Sequence, residues 1–473
     1  MKVKFRSVVT KPQLLIFDFL WLLTVLVYWK LLRGVGLELY WLFQVILLSI
    51  FLVGFFFRLS LNSSCIFPSI WSGSSLDLHY LGTVVFGSIW LIAFVRRIIG
   101  DLLQFDLFNA LVALCNLIFW LVYATYLFMV IQNQRGSRNS MGYVLLFVFW
   151  GFGFYVGLNL LAFSVGVMPD SSIYLTSYPS QLLSMLGSQG NRILFPLADG
   201  INSFGVSAGA VLVLFIPILF STKDTLIKLT SMFFSLSSIA VMVMTDSRGA
   251  ILFAWIAGFL YLLPGRISKH LIWLSVFVSF LPLLVALFFP ALLNFEYGFT
   301  RPPGNLTEKQ RMVLEEEFCA DKVKPLAGPL SNRPIIWAVA LDEFKHPRFV
   351  HLVGYGYRGQ VDAGISEDLS CIFLSFVYRR FASSHNIWLQ IITEIGYIGV
   401  IGTLFLFYKT AGRLYTLIEK DNSGFYKGMR LALIYIVFAG TLESILSPDY
   451  YIPFAMFLAI NIMTLLSAND IES

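Results

Sequence analysis

Two short polar motifs stand where long apolar runs begin, at positions where a membrane-embedded segment would meet water. The first is Asp246-Ser247-Arg248-Gly249-Ala250, and the second is Ser383-Ser384-His385-Asn386. A charged side chain at the mouth of an apolar segment is costly unless it faces protein, water or an anion, so it marks a site by default. A guanidinium binds phosphate in a two-point contact, and an imidazole exchanges a proton near neutral pH. The motifs therefore predict anion binding and acid–base chemistry at a membrane surface.

The composition sets the class of protein that carries these motifs. Of 473 residues, 58% are hydrophobic, 16% aromatic and only 13% charged. A helix needs about 20 mainly apolar residues to cross the hydrocarbon core, whereas a transmembrane barrel would show short alternating segments, which are absent. We therefore predict an all-α integral membrane protein with about 12 transmembrane helices and a large outer loop that contains short helices. The candidate helices begin near Leu14, Leu37, Leu81, Leu102, Tyr143, Ser203, Leu226, Ala250, Leu271, Asn386, Gly428 and Tyr450.

The positions of lysine and arginine predict the orientation, because cytoplasmic connections are enriched in them. They precede the first helix and then occupy alternate connections, which predicts cytoplasmic termini and outward-facing segments at Gly166–Gly200 and Pro290–Ser384. Arg96-Arg97 departs from the charge rule, but the alternation of the other connections places it outside. Leu14–Leu32 lacks a small-residue cleavage site and is expected to be a retained helix. The net charge of +6 belongs mostly to the cytoplasmic lining.

These features divide the chain into four parts. Residues 1–140 form the N-terminal transmembrane helices, 141–290 the central ones, 291–386 the periplasmic loop domain and 387–473 the C-terminal helices. Within the loop, Glu308–Phe318 and Pro334–Phe344 have helical spacing of apolar residues.

The cysteines and the absence of metal-binding motifs indicate which disulfide and which metal sites the sequence allows. Cys319 and Cys371 are the cysteines predicted to lie outside, where an oxidising compartment permits a disulfide between them. Cys65 and Cys115 are expected to be apolar or interfacial residues. The sequence contains no CxxC or HExxH motif and no His/carboxylate cluster at metal spacing, so we predict neither a metal nor another cofactor.

Three further motifs complete a recognisable order along the chain. They are Arg192 with Asn202, then Arg333-Pro-Ile-Ile-Trp337 followed by His346-Pro347 and Gly354-Tyr-Gly356, and the run from Glu394 to Gly399 after His385-Asn-x-x-Leu389. In this order and topology, the motifs resemble those of the O-antigen ligase and polymerase superfamily. The resemblance covers about Gln189 to Pro448.

The resemblance implies a GT-C-like transferase that moves a glycan from undecaprenyl pyrophosphate to an acceptor hydroxyl at the periplasmic face of the bacterial inner membrane. Arginines stabilise the departing pyrophosphate, so Arg192, Arg248 and Arg333 are the expected donor-binding residues. His385 is the expected general base. The family implies inversion at the anomeric carbon without a metal ion. The implied partners are the lipid-linked oligosaccharide, an acceptor glycolipid and a chain-length regulator.

Helical geometry predicts supporting roles around His385. A helix from Asn386 through Leu406 places Asn386, Gln390 and Glu394 on one stripe and turns Glu394 away from His385. Glu394 is therefore expected to organise the bundle interior. Gly396, Gly399 and Gly402 form a second stripe of small residues, expected to allow close helix packing.

Each assignment has a structural alternative. Arg248 has the position of an arginine that reaches lipid headgroups, Arg333 and Arg192 could hold local turns, and His385 could be a helix-terminal residue without chemistry. His351 is a reserve candidate for the base. Trp337, whose spacing from Arg333 belongs to the family pattern, is the aromatic residue most suited to contacting sugar.

Three functions stay open at this point. A polymerase joins one lipid-linked repeat to another, a ligase uses lipid A-core or a protein hydroxyl as acceptor, and a flippase moves lipid-linked sugars without transfer. Transporters usually show repeated halves, and no convincing repeat is present. The loop length gives polymerase a slight preference over ligase.

Overall fold

All described elements are helices, as the sequence predicts. The computed structural model describes residues 17–18, 48–50, 52–57, 78–132, 138–166, 180, 191–195, 198, 200–262, 273–281, 283–284, 333–366, 369, 383–420, 424–449 and 451–472. The helices are α1 (Leu78–Leu103), α2 (Leu107–Gln132), α3 (Arg138–Ser164), α4 (Ile201–Ser221), α5 (Thr225–Met244), α6 (Arg248–Tyr261), α7 (Arg333–Glu343), α8 (Val350–Val353), α9 (Gly359–Asp362), α10 (Ile387–Lys420), α11 (Phe425–Ala439) and α12 (Tyr451–Glu472).

Five of these helices are long and apolar enough to cross a membrane, namely α1, α2, α4, α5 and α10. Shorter apolar stretches of 10–17 residues lie in α3 at Val148–Ser164, in α6 at Arg248–Tyr261 and in α12 at Tyr451–Leu466. The prediction of a helical membrane protein is confirmed. The count of about 12 spans stays a prediction, because the segments beginning near Leu14 and Leu37 lie largely outside the described residues.

The centre of the bundle is α11, which packs against α4, α6 and α10. Every residue of α11 from Gly428 onward is buried. Glycines allow this close approach: a Cβ at Gly428 would lie 2.2 Å from the carbonyl oxygen of Leu214, and one at Gly209 would overlap the Tyr435 hydroxyl. The Tyr435 hydroxyl donates to the carbonyl of Val206 at 3.0 Å. The turn that follows α11 is therefore fixed by the most buried part of the fold.

The loop is seated on the bundle by the segment 352–358, which we call the docking segment. Its Tyr355 and Gly356 amides donate to the carbonyls of Thr393 and Glu394 at 2.7 and 2.9 Å. These carbonyls lie just before the kink of α10 at Gly396, where φ is 70° and ψ is −172°. The sequence prediction of one continuous helical stripe through Gly396 is therefore wrong, since that glycine makes a kink that receives the loop.

The other two glycines of the predicted stripe differ from Gly396. A Cβ at Gly402 would lie 3.3 Å from Ile89, so Gly402 does face α1 as a packing residue. A Cβ at Gly399 would meet Ile395 of its own helix. Gly402 therefore packs against α1, and Gly396 lies against Leu352 of the short helix α8.

The C-terminal end of α1 lies beside the docking segment. Arg97 pairs with Asp362 at 2.8 Å, and Arg96 donates to the carbonyl of Gly354. The Tyr357 amide donates to the carbonyl of Ala93 at 3.1 Å. Arg96 and Arg97 therefore lie on the same side of the bundle as the loop. The alternation of connections along the chain predicts this placement.

Gly396→Ala should destabilise the protein by about 1–3 kcal/mol, the usual cost of a non-glycine residue held at an unfavourable φ/ψ. In addition, the new Cβ would lie 2.4 Å from the carbonyl oxygen of Leu352. The matched control is Gly412→Ala in the same helix, where nothing lies within 4 Å of a Cβ. Melting temperatures of the two purified variants should separate, with only Gly396→Ala falling. Equal melting temperatures would show that the kink is not required.

Candidate active site

The first motif forms a tight turn between α5 and α6. Asp246 adopts a left-handed backbone with φ of 50°, and the amide of Arg248 donates to the Asp246 carbonyl at 3.0 Å. Arg192 packs onto this turn, donating from Nε to the Thr245 carbonyl at 2.8 Å and from Nη2 to Asn202 Oδ1 at 2.5 Å. Arg192 and Arg248 therefore lie at the same turn.

The second motif forms the start of α10. Asn386 caps the helix, because its Oδ1 accepts from the amides of Trp388 at 2.9 Å and Leu389 at 3.2 Å. Its Nδ2 donates to the carbonyl of Thr441 at 3.2 Å. Asn386 is fully buried, so its contacts fix the helix start against the turn after α11. His385, immediately before it, has a left-handed φ of 49°.

Glu443 joins the loop to this helix start. Its Oε1 lies 2.5 Å from Nη2 of Arg333, and its Oε2 lies 2.9 Å from Nδ1 of His385. Arg333 and His385 are 52 positions apart in the chain, and Glu443 is 58 positions beyond His385. Trp337, one turn along α7 from Arg333, donates from Nε1 to the His385 carbonyl at 3.3 Å. We call Arg333, His385 and Glu443 the carboxylate triad.

The electrostatics favour an ionised Glu443. Burial of Glu443 opposes its ionisation, but His385 and Arg333 outweigh that cost and hold the pKa of this carboxyl at about 2. Burial also lowers the pKa of Arg192, which Asp246 raises and the nearby positive charges of Arg248 and Arg333 lower further. All three predicted arginines are therefore within electrostatic range of one another.

The exposure of the charged groups differs across the site. The Arg248 side chain is 60% exposed, whereas those of Arg333 and His385 are 23% and 20% exposed. The carboxylates of Asp246 and Glu443 lie beneath them, at 3% and 4%. The result is a surface of cationic and titratable groups that rests on buried acids, an arrangement suited to binding an anion beside a proton acceptor.

Glu443 is the residue that sequence reasoning did not assign to the site. The feature that could have pointed to Glu443 is the cost of placing an acidic group beside an apolar segment. Asp18 and Asp106 have the same feature. Those two have partners elsewhere: Tyr126 donates to the buried Asp18, and Asp106 accepts from the amide of Asn109 at 3.0 Å.

Other predicted residues lie outside the triad. Glu394 is buried and accepts from the Arg358 amide at 3.0 Å and from the Ser447 hydroxyl at 3.3 Å, so it organises the interior as expected. His351 is also buried, with Nδ1 accepting from the Arg348 amide at 3.2 Å and Nε2 facing Glu343 at 3.4 Å. Both of its ring nitrogens are engaged inside the loop. The reserve role of His351 as a base is therefore wrong for this conformation.

The predicted sugar contact of Trp337 also needs correction. Trp337 is 7% exposed, and its indole supports the backbone of His385. An aromatic ring in that position leaves little face for a sugar. The predicted helix Glu308–Phe318 and the possible disulfide between Cys319 and Cys371 lie outside the described residues, whereas Pro334–Phe344 agrees with α7. Cys115 is a buried thiol.

A second ionic contact connects the docking segment with the turn that carries Glu443. Arg358 donates to Asp449 through Nε at 3.0 Å and Nη2 at 3.1 Å, and Tyr357 donates to the same carboxylate at 2.5 Å. Two-point arginine–carboxylate contacts are among the stronger polar interactions in proteins. The loop is thus held at both its kink contact and the α11–α12 turn.

Comparison with protein families gives one match. Residues 232–404 match the family described as O-antigen ligase. The sequence-based resemblance to the O-antigen ligase and polymerase superfamily is therefore confirmed over this segment. The matched residues 232–404 include Arg248, Arg333, His385 and Glu394, whereas Arg192 precedes them and Glu443 follows them. A comparison with curated proteins finds no match.

Glu443→Gln should lower stability at neutral pH by on the order of 3 kcal/mol, because it leaves the partly buried Arg333 guanidinium beside a neutral amide. The folded-state pKa of Glu443 is depressed, so its contribution is complete above about pH 4.5 and is lost as the pH falls toward 2. Chemical denaturation in detergent at several pH values measures this difference. Glu419→Gln, at an exposed position of α10, should match wild type throughout. A Glu443→Gln deficit that did not shrink in acid would contradict an ionised Glu443.

Proposed function

We propose that the protein is an O-antigen polymerase, a glycosyltransferase of surface polysaccharide and lipopolysaccharide biosynthesis. It transfers a glycan from undecaprenyl pyrophosphate to a hydroxyl of a second lipid-linked repeat, at the periplasmic face of the inner membrane. The observation that carries the proposal is the convergence of Arg333 and His385 on Glu443, beside Arg192 and Arg248. The O-antigen ligase match over 232–404 supports the same class of reaction.

The arginines serve the leaving group. When the bond between the anomeric carbon and the pyrophosphate oxygen breaks, its electron pair stays with the pyrophosphate. Guanidinium groups stabilise that charge in two-point contacts, and they act more strongly where water is partly excluded. Arg248 is the most exposed of the three and would reach the donor first. Arg192 and Arg333 add positive charge from fixed positions.

His385 serves the acceptor. The acceptor hydroxyl loses its proton as its oxygen bonds to the anomeric carbon. With Nδ1 of neutral His385 donating to Glu443 at 2.9 Å, Nε2 is the basic nitrogen that receives this proton. Glu443 then stabilises the imidazolium, by the same logic that a buried carboxylate follows in a hydrolase triad. Attack from the face opposite the leaving group gives inversion, and these roles use no metal ion.

A ligase is the second candidate, because the matching family carries that description. It would share the donor and the base and differ only in its acceptor, which would be lipid A-core or a protein hydroxyl. A flippase is less well supported, because translocation does not need a titratable base held by a carboxylate. A chain-length regulator is a proposed partner of the polymerase alone.

The choice between polymerase and ligase is tested by transfer with purified protein and an undecaprenyl-pyrophosphate-linked oligosaccharide. One reaction offers a second lipid-linked repeat as acceptor, and the other offers lipid A-core. A ladder of longer lipid-linked glycans is expected in the first reaction. Product in the second reaction alone would identify a ligase, and product in neither would argue against transferase activity.

His385→Ala and Arg248→Ala should fail in different ways. Loss of the base should lower turnover by about 100- to 10,000-fold while donor binding survives. Loss of Arg248 should weaken both donor binding and turnover, and Arg248→Lys should rescue only partly because lysine lacks the planar fork. Donor titrations and single-turnover rates separate these effects. Wild-type turnover in His385→Ala at saturating substrates would show that His385 is not the base.

A further inference from the structure

Asp246 is a buried acid inside the arginine cluster that the proposed mechanism does not use. Its Oδ1 lies 4.0 Å from Nε of Arg248, and its side chain is 3% exposed. It is also the negative charge with the strongest effect on Arg192. Its left-handed backbone holds the side chain in the turn that carries Arg248. Asp246 therefore lies beside Arg248 and within electrostatic range of Arg192.

The two buried acids of the site hold their arginines differently. Glu443 contacts Arg333 at 2.5 Å, a direct ion pair, and Arg333 is mostly covered. Asp246 is more distant from Arg248, whose guanidinium is mostly exposed. A carboxylate at 4 Å still lowers the local positive potential without occupying the face of the guanidinium that an incoming anion would meet. Asp246 thus lowers the positive potential at the arginine pair from a distance of 4.0 Å.

The donor and the product differ in phosphate charge, and this difference gives the carboxylate beside the arginines a role. The donor carries its pyrophosphate esterified at both ends, whereas the product has a terminal phosphate that can lose a further proton. A purely cationic pocket would therefore bind the product more tightly than the donor, and product release would limit turnover. A fixed negative charge beside the arginines offsets this preference.

We propose that Asp246 is a positioning residue whose carboxylate limits the affinity of Arg192 and Arg248 for the polyprenyl pyrophosphate product, so that the product leaves. The inference rests on the proposed function, because it assumes a pyrophosphate-linked donor. It assigns Asp246 a role in release and specificity, not in bond formation.

Asp246→Asn tests the charge with little change in shape, because asparagine tolerates a left-handed backbone as well as aspartate does. Binding of farnesyl pyrophosphate to the purified full chain in detergent should become about 10-fold tighter, as expected for removing one charge near a surface cation. At saturating donor, kcat should fall and inhibition by farnesyl pyrophosphate should rise. Asp246→Ser, which also removes the charge, should shift affinity in the same direction.

The control is Asp342→Asn, which removes the same charge from an exposed position on α7. It should leave farnesyl pyrophosphate affinity unchanged. Equal or weaker binding by Asp246→Asn, with a lowered melting temperature, would assign Asp246 a purely structural role and overturn the proposal. If wild type showed no saturable binding that Arg248→Ala removes, the proposed function itself would fail, and the role of Asp246 with it.

Discussion

The active-site account depends on one buried carboxylate. Glu443 contacts Arg333 from the start of α7 and His385 from the start of α10, at 2.5 and 2.9 Å. A buried acid in a membrane protein is tolerated only when it is paired, and here the pairing residues come from two distant parts of the chain. The same contact that satisfies Glu443 therefore assembles an anion-binding residue and a base in one place.

The rest of the fold holds Glu443 in contact with Arg333 and His385. The buried helix α11 fixes the turn that bears Glu443, and Asn386 ties the start of α10 to that turn. The loop is held from the other side, because the kink at Gly396 exposes carbonyls that receive the docking segment. Arg358 then fastens that segment to Asp449, six residues beyond Glu443. Backbone geometry and ion pairs thus bring together functional side chains from several helices.

Much of this was predictable from the sequence, and the misses have physical causes. Apolar length predicts helices because lipid leaves the backbone no other partners, and the motifs with Arg248 and His385 predict the site because charge at a membrane surface is costly. The partner of His385 was not predictable, since pairing across 58 positions depends on tertiary packing. The kink at Gly396 was missed because helical periodicity assumes ideal dihedrals, and a glycine stripe gives the same pattern for packing and for a break.

The most direct test of the triad is a double-mutant cycle on kcat/KM with Glu443→Gln and His385→Gln, alone and combined, in the glycan-transfer assay. If Glu443 acts through His385, the two effects should be non-additive by about 1–3 kcal/mol, because the carboxylate cannot orient an imidazole that is absent. Additive effects, within about 0.3–0.5 kcal/mol, would show that the two residues act independently and would contradict the account.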